Sequence, residues 1–158
     1  MDNITVRDAT HDEAGTIVQM IRRMVTDMAS YGGYAPASDD AAWDKLTAVI
    51  SEELQGENAR YVLAELHRGE VVGVAGAEVI ILGGAFAPKK TLHISVLYVI
   101  PSERRSGIGT TLLGRILDWG RAAGGEQCDL NVLSSNPAKA LYEKRGFSIF
   151  EVKMVRPL

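Results

Sequence analysis

The sequence predicts a mixed α/β fold, and three observations predict it. Apolar residues recur at helical spacing through the first third of the chain. Runs dense in β-branched and aromatic residues fill the middle. The spacing turns helical again soon after Pro101. At 158 residues the chain is long enough for one proper core and short for two, so residues 1–158 read as one domain. Hydrophobic residues at 46% and charged residues at 23% fit a globular protein.

Each element has its own signal. Ile4 to Arg7 alternates apolar and polar residues, as a short strand does. Thr10 with Glu13 three residues on has the spacing of a capping box. Ala14, Ile17, Val18, Ile21, Met24, Val25 and Met28 then form one helical face. "SYGGYAPAS" breaks that helix, and Ser38 to Asp40 can cap a second one with Trp43, Leu46, Ile50 and Leu54 on its apolar face. Arg60 to Leu66 and Val71 to Ile81 read as strands joined at "HRGE". "LGGAFAPKK" is a turn region, and Thr91 to Ile100 is a strand ended by Pro101. Ile108, Leu112, Leu113, Ile116 and Leu117 mark a third helix, closed by "AAGG". Cys128 to Leu133 alternates as a strand. Asn136-Pro137 opens a short helix that Gly146 closes, and Phe147 to Val155 supplies one or two final strands.

Composition excludes several functions. A formal net charge of −3 argues against general nucleic-acid binding, which needs a basic surface to displace phosphate counterions. The single cysteine, Cys128, allows neither an intrachain disulfide nor a CxxC metal knuckle. The apolar window from Val71 to Ala87 is interrupted by Glu78 and rich in glycine, so it does not read as a membrane span. With a polar opening "MDNITVRDAT", the expectation is a cytoplasmic protein with no metal.

The stretch "SERRSGIG", Ser102 to Gly109, raises the sharpest functional question. It is not GxxxxGK[ST], so it is no P-loop. A dinucleotide fingerprint needs glycine where Leu112 stands. The chain has neither GxSxG nor HExxH. A strand, a proline, two arginines and two glycines do lead into a helix start, whose unpaired N–H groups and partial positive charge suit an anion. Gly107 and Gly109 permit close approach to the backbone, and Arg104 and Arg105 offer charge-assisted hydrogen bonds.

Arg104-Arg105-Ser106-Gly107-Ile108-Gly109 resembles the R/Q-x-x-G-x-G/A signature of the GCN5-related N-acetyltransferases (GNAT). Downstream, "NPAKALYEKRGF", Asn136 to Phe147, resembles that family's N-x-x-A-x-x-L/F-Y-x-x-x-G-F segment. The resemblance implies a GNAT-like mixed, mostly antiparallel sheet flanked by helices, with a splayed strand pair for acetyl-CoA. It implies transfer of an acetyl group from acetyl-CoA to a primary amine of a small molecule or peptide, by direct attack in a ternary complex. Pantetheine would pair with the backbone of Leu97, Tyr98 and Val99. The pyrophosphate would sit on the N–H groups of Arg105, Ser106, Gly107, Ile108, Gly109 and Thr110. Tyr142 would donate to the coenzyme sulfur, and Asn136 would contact the coenzyme. Many members pair as dimers, and "FEVKMVRPL" is where a homodimer contact of this chain would fall.

The chemistry needs a proton acceptor, because an amine of pKa about 10 attacks only when neutral. The family's common glutamate positions on the strand before the loop hold His93 and Ser95 here, and the one before the short helix holds Asn131. His93 is one candidate base, since an unperturbed histidine titrates near 6.5 and Ser95 could hold a water beside it, and it reads equally as a partly exposed strand residue near "PKK". Glu78 is a second candidate, and water alone is a third. Tyr31 and Tyr34, in the connection between the first two helices, are candidates to line the acceptor site. The missing carboxylates also motivate a reading from another class, a non-catalytic acyl-CoA-binding module or sensor. A metal- or nucleotide-dependent enzyme has no motif to support it.

Overall fold

The two runs dense in β-branched residues, Val71–Leu82 and Lys89–Val99, fold as neighbouring strands at the centre of one sheet. The computed structural model describes residues 4–158. Its strands are β1 (Ile4–Asp8), β2 (Ala59–Leu66), β3 (Val71–Leu82), β4 (Lys89–Val99) and β5 (Gln127–Leu130), and its helices are α1 (Ala14–Ala29), α2 (Asp40–Glu53), α3 (Ile108–Ala122) and α4 (Lys139–Lys144). The strands lie in the order β1-β2-β3-β4-β5. The first four pair antiparallel and β5 joins β4 in parallel. A parallel pair needs a crossover, and α3 supplies it.

Strand alternation splits the core in two. Val62, Ala64, Ala75, Ala77, Leu92 and Ile94 face α3, whose Ile108, Leu112, Leu113 and Ile116 are buried against them. Tyr61, Leu63, Val74, Val96 and Tyr98 face the other way, onto Ile17 and Val18 of α1 and Trp43 and Ile50 of α2. The molecule is therefore a sheet between two helical layers.

The helix starts differ in how they are held. Asp39 caps α2, its carboxylate accepting from the Ala42 N–H at 2.8 Å. The capping box expected at Thr10 forms only in half. The Glu13 carboxylate accepts from the Thr10 N–H at 2.8 Å, but α1 begins at Ala14 and Thr10 stands outside it. The Thr10 hydroxyl donates instead to Asp12 and Glu13. Arg7 is the reason: its guanidinium holds both Glu13 oxygens, at 2.8 and 2.7 Å, and draws that side chain toward β1.

Two sequence expectations fail at the C-terminal side. The strand expected from Cys128 to Leu133 ends at Leu130, because β4 supplies partners only as far as Ile94. No strand forms from Phe147 to Val155. Ile149, Phe150, Val152, Met154 and Val155 are all exposed there. Alternation specifies which face a strand would bury, but a strand also needs an edge to pair with, and β5 is only four residues long. Among the described residues no helix is long and apolar enough to cross a membrane.

Candidate active site

The site is built around the place where β4 loses its neighbour. Register runs from Thr91 opposite Gln127 to Ile94 opposite Leu130 and then stops, while β4 continues to Val99. On its other side β4 stays paired with β3 but carries a bulge. Gly76 faces Val96 and Ala77 faces Ile94, so Ser95 is the extra residue. A bulge bends its strand and adds twist. Here it falls at the step where β4 and β5 part, which leaves the stretch from Leu97 to Val99 without a strand neighbour on one side.

A row of side chains crosses the sheet one step before the fork. Glu78 of β3 is directly opposite His93 of β4, and His93 is directly opposite Asp129 of β5. All three lie on the face that carries α1 and α2. The His93 Nδ1 lies 2.7 Å from an Asp129 oxygen. An ionised carboxylate only accepts, so Nδ1 is the donor of this bond, and in the neutral ring Nε2 is then the acceptor. Asp129 stands two positions before Asn131, the position matched to the family's carboxylate, and was not singled out by the sequence. A charged residue alternating with Cys128 and Leu130 was the only signal for it.

Beside this row lies a cavity of about 210 Å³, walled by α1, α2 and the sheet. Glu78, Ser95, Tyr61 and Glu53 line it, together with apolar residues. The Tyr61 hydroxyl donates to Glu53 at 2.5 Å. Burial, and then that carboxylate, push the Tyr61 phenol well above its ordinary range, so it remains a donor. Gly76 makes the arrangement fit: a Cβ there would stand 2.4 Å from the Tyr61 ring. Glu53 and Tyr61 were not legible as site residues, since only the pairing of α2 with β2 brings them together. A second groove, open and about 360 Å³, runs along α1 beside Tyr98 and holds no member of the row.

The loop before α3 presents backbone. After a 3₁₀ turn at Pro101–Glu103, Arg105 (φ 62°) and Gly107 (φ 88°) both take the left-handed conformation. The second is the residue that caps α3, and glycine takes that conformation without a Cβ penalty. The N–H groups of Ile108, Gly109 and Thr110 open the helix, and Thr111 is the first to bond back, to the Gly107 carbonyl at 3.0 Å. The Ser106 hydroxyl is turned inward, donating to the Glu103 carbonyl. Arg104 is tied into the scaffold. Its Nε donates to the Val99 carbonyl at 2.8 Å, its Nη2 meets Asp27 at 2.8 Å, and its guanidinium lies over the Tyr98 ring. Asp27 also accepts from the Tyr98 hydroxyl, at 2.8 Å. Arg105 is exposed and makes no hydrogen bond through its guanidinium among the described residues.

Tyr142 sits on the opposite face, in the α3-side core. Burial pushes its phenol up to about 12. Its position is fixed by the end of α4. Phe147 N–H bonds to the Tyr142 carbonyl and Gly146 N–H to that of Glu143, the two bonds of a Schellman motif. The accompanying apolar contact is the edge-to-face pair of Tyr142 and Phe147, 5.8 Å between centroids. Asn136 Oδ1 accepts from the Ala138 N–H at 2.9 Å, which shapes the approach to α4 and leaves its amide nitrogen free of protein partners among the described residues.

Tyr31 and Tyr34 do not line the cavity. The Tyr31 carbonyl accepts from Ser135, and Tyr34 is exposed with Lys153 over its ring. Asn131 is exposed just past the end of β5. Glu78 and His93 are thus cross-strand neighbours, Glu78 and Ser95 line the cavity, and Tyr31 and Tyr34 stand apart from it.

A family model described as the acetyltransferase (GNAT) family matches residues 21–147. The chain belongs to the GNAT acetyltransferase family. Solved structures agree with a GNAT fold. A mutant BH1408 protein from Bacillus halodurans superposes with a TM-score of 0.83 at 22% identity, covering 98% of this chain and 99% of that one. A predicted acetyltransferase from Clostridium acetobutylicum, solved with acetyl-CoA, gives 0.81 at 19% identity over 98% of this chain and 96% of that one. AAC(6')-Iy, in complex with the bisubstrate analog CoA-S-monomethyl-acetylneamine, gives 0.73 at 17% identity over 99% of this GNAT chain and 98% of that one. No curated protein matches.

Proposed function

We propose that the protein transfers an acetyl group from acetyl-CoA to a primary amine, by direct attack within a ternary complex. The observation that carries this reading is the fork itself. The unpaired edge of β4 begins at a bulge, just past the His93–Asp129 pair, beside a half-open cavity on the same face.

The residues present fit acetyl-CoA. The free edge at Leu97 offers strand pairing to pantetheine, while the backbone of Tyr98 is turned toward β3, in phase with the Ile100 N–H bond to Val72. The left-handed loop and the unpaired N–H groups from Arg105 to Thr110 offer an anion cradle, with the Arg105 guanidinium added. Arg104 serves differently, bracing the loop against α1 through Asp27. Asn136 keeps an amide N–H for the coenzyme. Acetyl-CoA supplies an acyl group already activated toward amines as a thioester.

The chain's own groups divide the proton work. His93 Nε2 takes a proton from the incoming ammonium, directly or through a water held by Ser95. Asp129 fixes the ring and its tautomer, and so acts as a positioning residue. Glu78 holds the ammonium beside His93. Tyr142 Oη stays protonated far above neutrality and serves as donor toward a departing thiolate. Cys128 offers no covalent route, since burial and the Asp129 charge push its thiol up to about 12.

The test is calorimetric titration with acetyl-CoA, followed by thiol release over a panel of amines. Binding and turnover that falls sharply in Tyr142→Phe support the reading. No binding of acetyl-CoA at millimolar concentration sinks it.

A further inference from the structure

We propose that the acceptor is a small dicationic amine: a primary amine on a short aliphatic frame that carries a second ammonium group. This rests on the acetyl-transfer reading and names the substrate class of the same site.

The cavity beside the His93 row has an unusual balance of charge. Its charged lining residues are two carboxylates, Glu53 and Glu78, and no lysine, arginine or histidine lines it among the described residues. The rest of the wall is largely apolar, with Ile21, Leu46, Ile50 and Val96 prominent. Both carboxylates are half-buried and no cation offsets them within the lining, so a ligand bearing positive charge is the complementary one. An anionic acceptor would be repelled by them.

The two carboxylates come from different elements, which separates their roles. Glu78 is the direct cross-strand neighbour of His93, and such neighbours have Cβ atoms about 5 Å apart. An ammonium at Glu78 is therefore next to the base and is the one to be acetylated. Glu53 is the last residue of α2. A helix C-terminus carries partial negative charge, usually offset by a basic side chain, and the last turn of α2 has none. The Tyr61 ring is seated over Gly76, and its hydroxyl donates to Glu53 and holds that carboxylate in place. A second ammonium there would meet a fixed carboxylate and an uncompensated helix end together. The volume, about 210 Å³, is below the range of about 300–1,000 Å³ typical of drug-sized ligand sites, so the frame between the charges is short.

The experiment compares kcat/KM for 1,5-diaminopentane, pentylamine and 5-aminopentanoate by thiol release at saturating acetyl-CoA. The diamine is expected to exceed pentylamine by about tenfold and the amino acid by about a hundredfold, the range of one or two charge-assisted contacts. Its advantage should shrink with added salt, as screening requires. In Glu53→Gln the diamine-to-pentylamine ratio should fall toward one. Pentylamine matching the diamine in the native protein, or a ratio that survives Glu53→Gln, overturns the dication and leaves acetyl transfer standing. Acetylation of none of these amines, with another class of amine turned over, also overturns it. Bound acetyl-CoA with no turnover on any amine overturns the acetyl-transfer reading, and the dication with it.

Discussion

The two halves of the candidate site are made of different material. The loop from Ser102 to Gly109 is one continuous segment, and it presents main-chain N–H groups whose directions follow from two left-handed residues and a helix start. The row of Glu78, His93 and Asp129 is made of side chains from three strands, held in line by sheet register. The difference teaches where each half is vulnerable. A backbone cradle tolerates most side-chain changes and fails only where a φ angle becomes untenable. A cross-strand row fails with any single member, yet leaves the cradle intact.

Substitutions can break that contrast. The largest effect is expected at His93. His93→Ala should lower kcat/KM by about 10²–10³-fold, within the usual range for a general base, while the acetyl-CoA Kd from calorimetry changes less than about twofold. A large loss of coenzyme affinity would show that the row and the cradle are not separate. Next comes Tyr142→Phe, with kcat lowered by about a hundredfold, measured in single-turnover assays. Because the phenol is held up to about 12, the native rate should show no fall from its ionisation near pH 10.

The cradle should give the converse result. Gly107→Val places a β-branched residue at φ 88°, at a cost of about 1–3 kcal/mol of backbone strain. The expected outcome is acetyl-CoA binding weaker by about tenfold with kcat at saturation nearly kept. Asp129→Asn should act through His93 alone, lowering kcat by about tenfold with KM for the amine little changed. A change in KM alone would assign Asp129 to substrate binding.

The same contrast explains what the sequence could and could not disclose. The loop is local, so its glycines, arginines and following helix were readable in a row, and Tyr142 was readable from the segment that ends at Phe147. His93 and Glu78 could be suspected singly, as polar residues in apolar strands, but their adjacency depends on register. Asp129 was hidden because matching to the family pattern pointed two residues on, to Asn131, whereas the fork at Leu130 makes the earlier position the last one paired with β4. Tyr31 and Tyr34 attracted attention as aromatics in a glycine-rich connection, yet that connection docks on Ser135 and leaves the cavity to α2. The final strands failed because an alternating pattern says nothing about whether an edge is there to receive it.

The smallest expected effect lies outside both halves and serves as their control. Glu13 is gripped by Arg7, and that contact holds its carboxyl at about 2, below the usual 4.5. A carboxylate depressed in the folded state stabilises it above the unfolded value, and the contribution is lost as pH falls from about 5 toward 2. Glu13→Gln should therefore lower stability at pH 7 by roughly 1 kcal/mol, allowing for solvent screening at this partly exposed pair, or about 3 °C in Tm for a domain of this size. The difference from the native protein should narrow through pH 4 and vanish near pH 2, as followed by thermal unfolding across that range. Glu13 anchors the start of α1 rather than the cavity or the loop, so acetyl-CoA affinity and kcat should both be unmoved at pH 7. A loss of either would mean that the placement of α1 tunes the site, and that its two halves share a scaffold more closely than their separate chemistry implies.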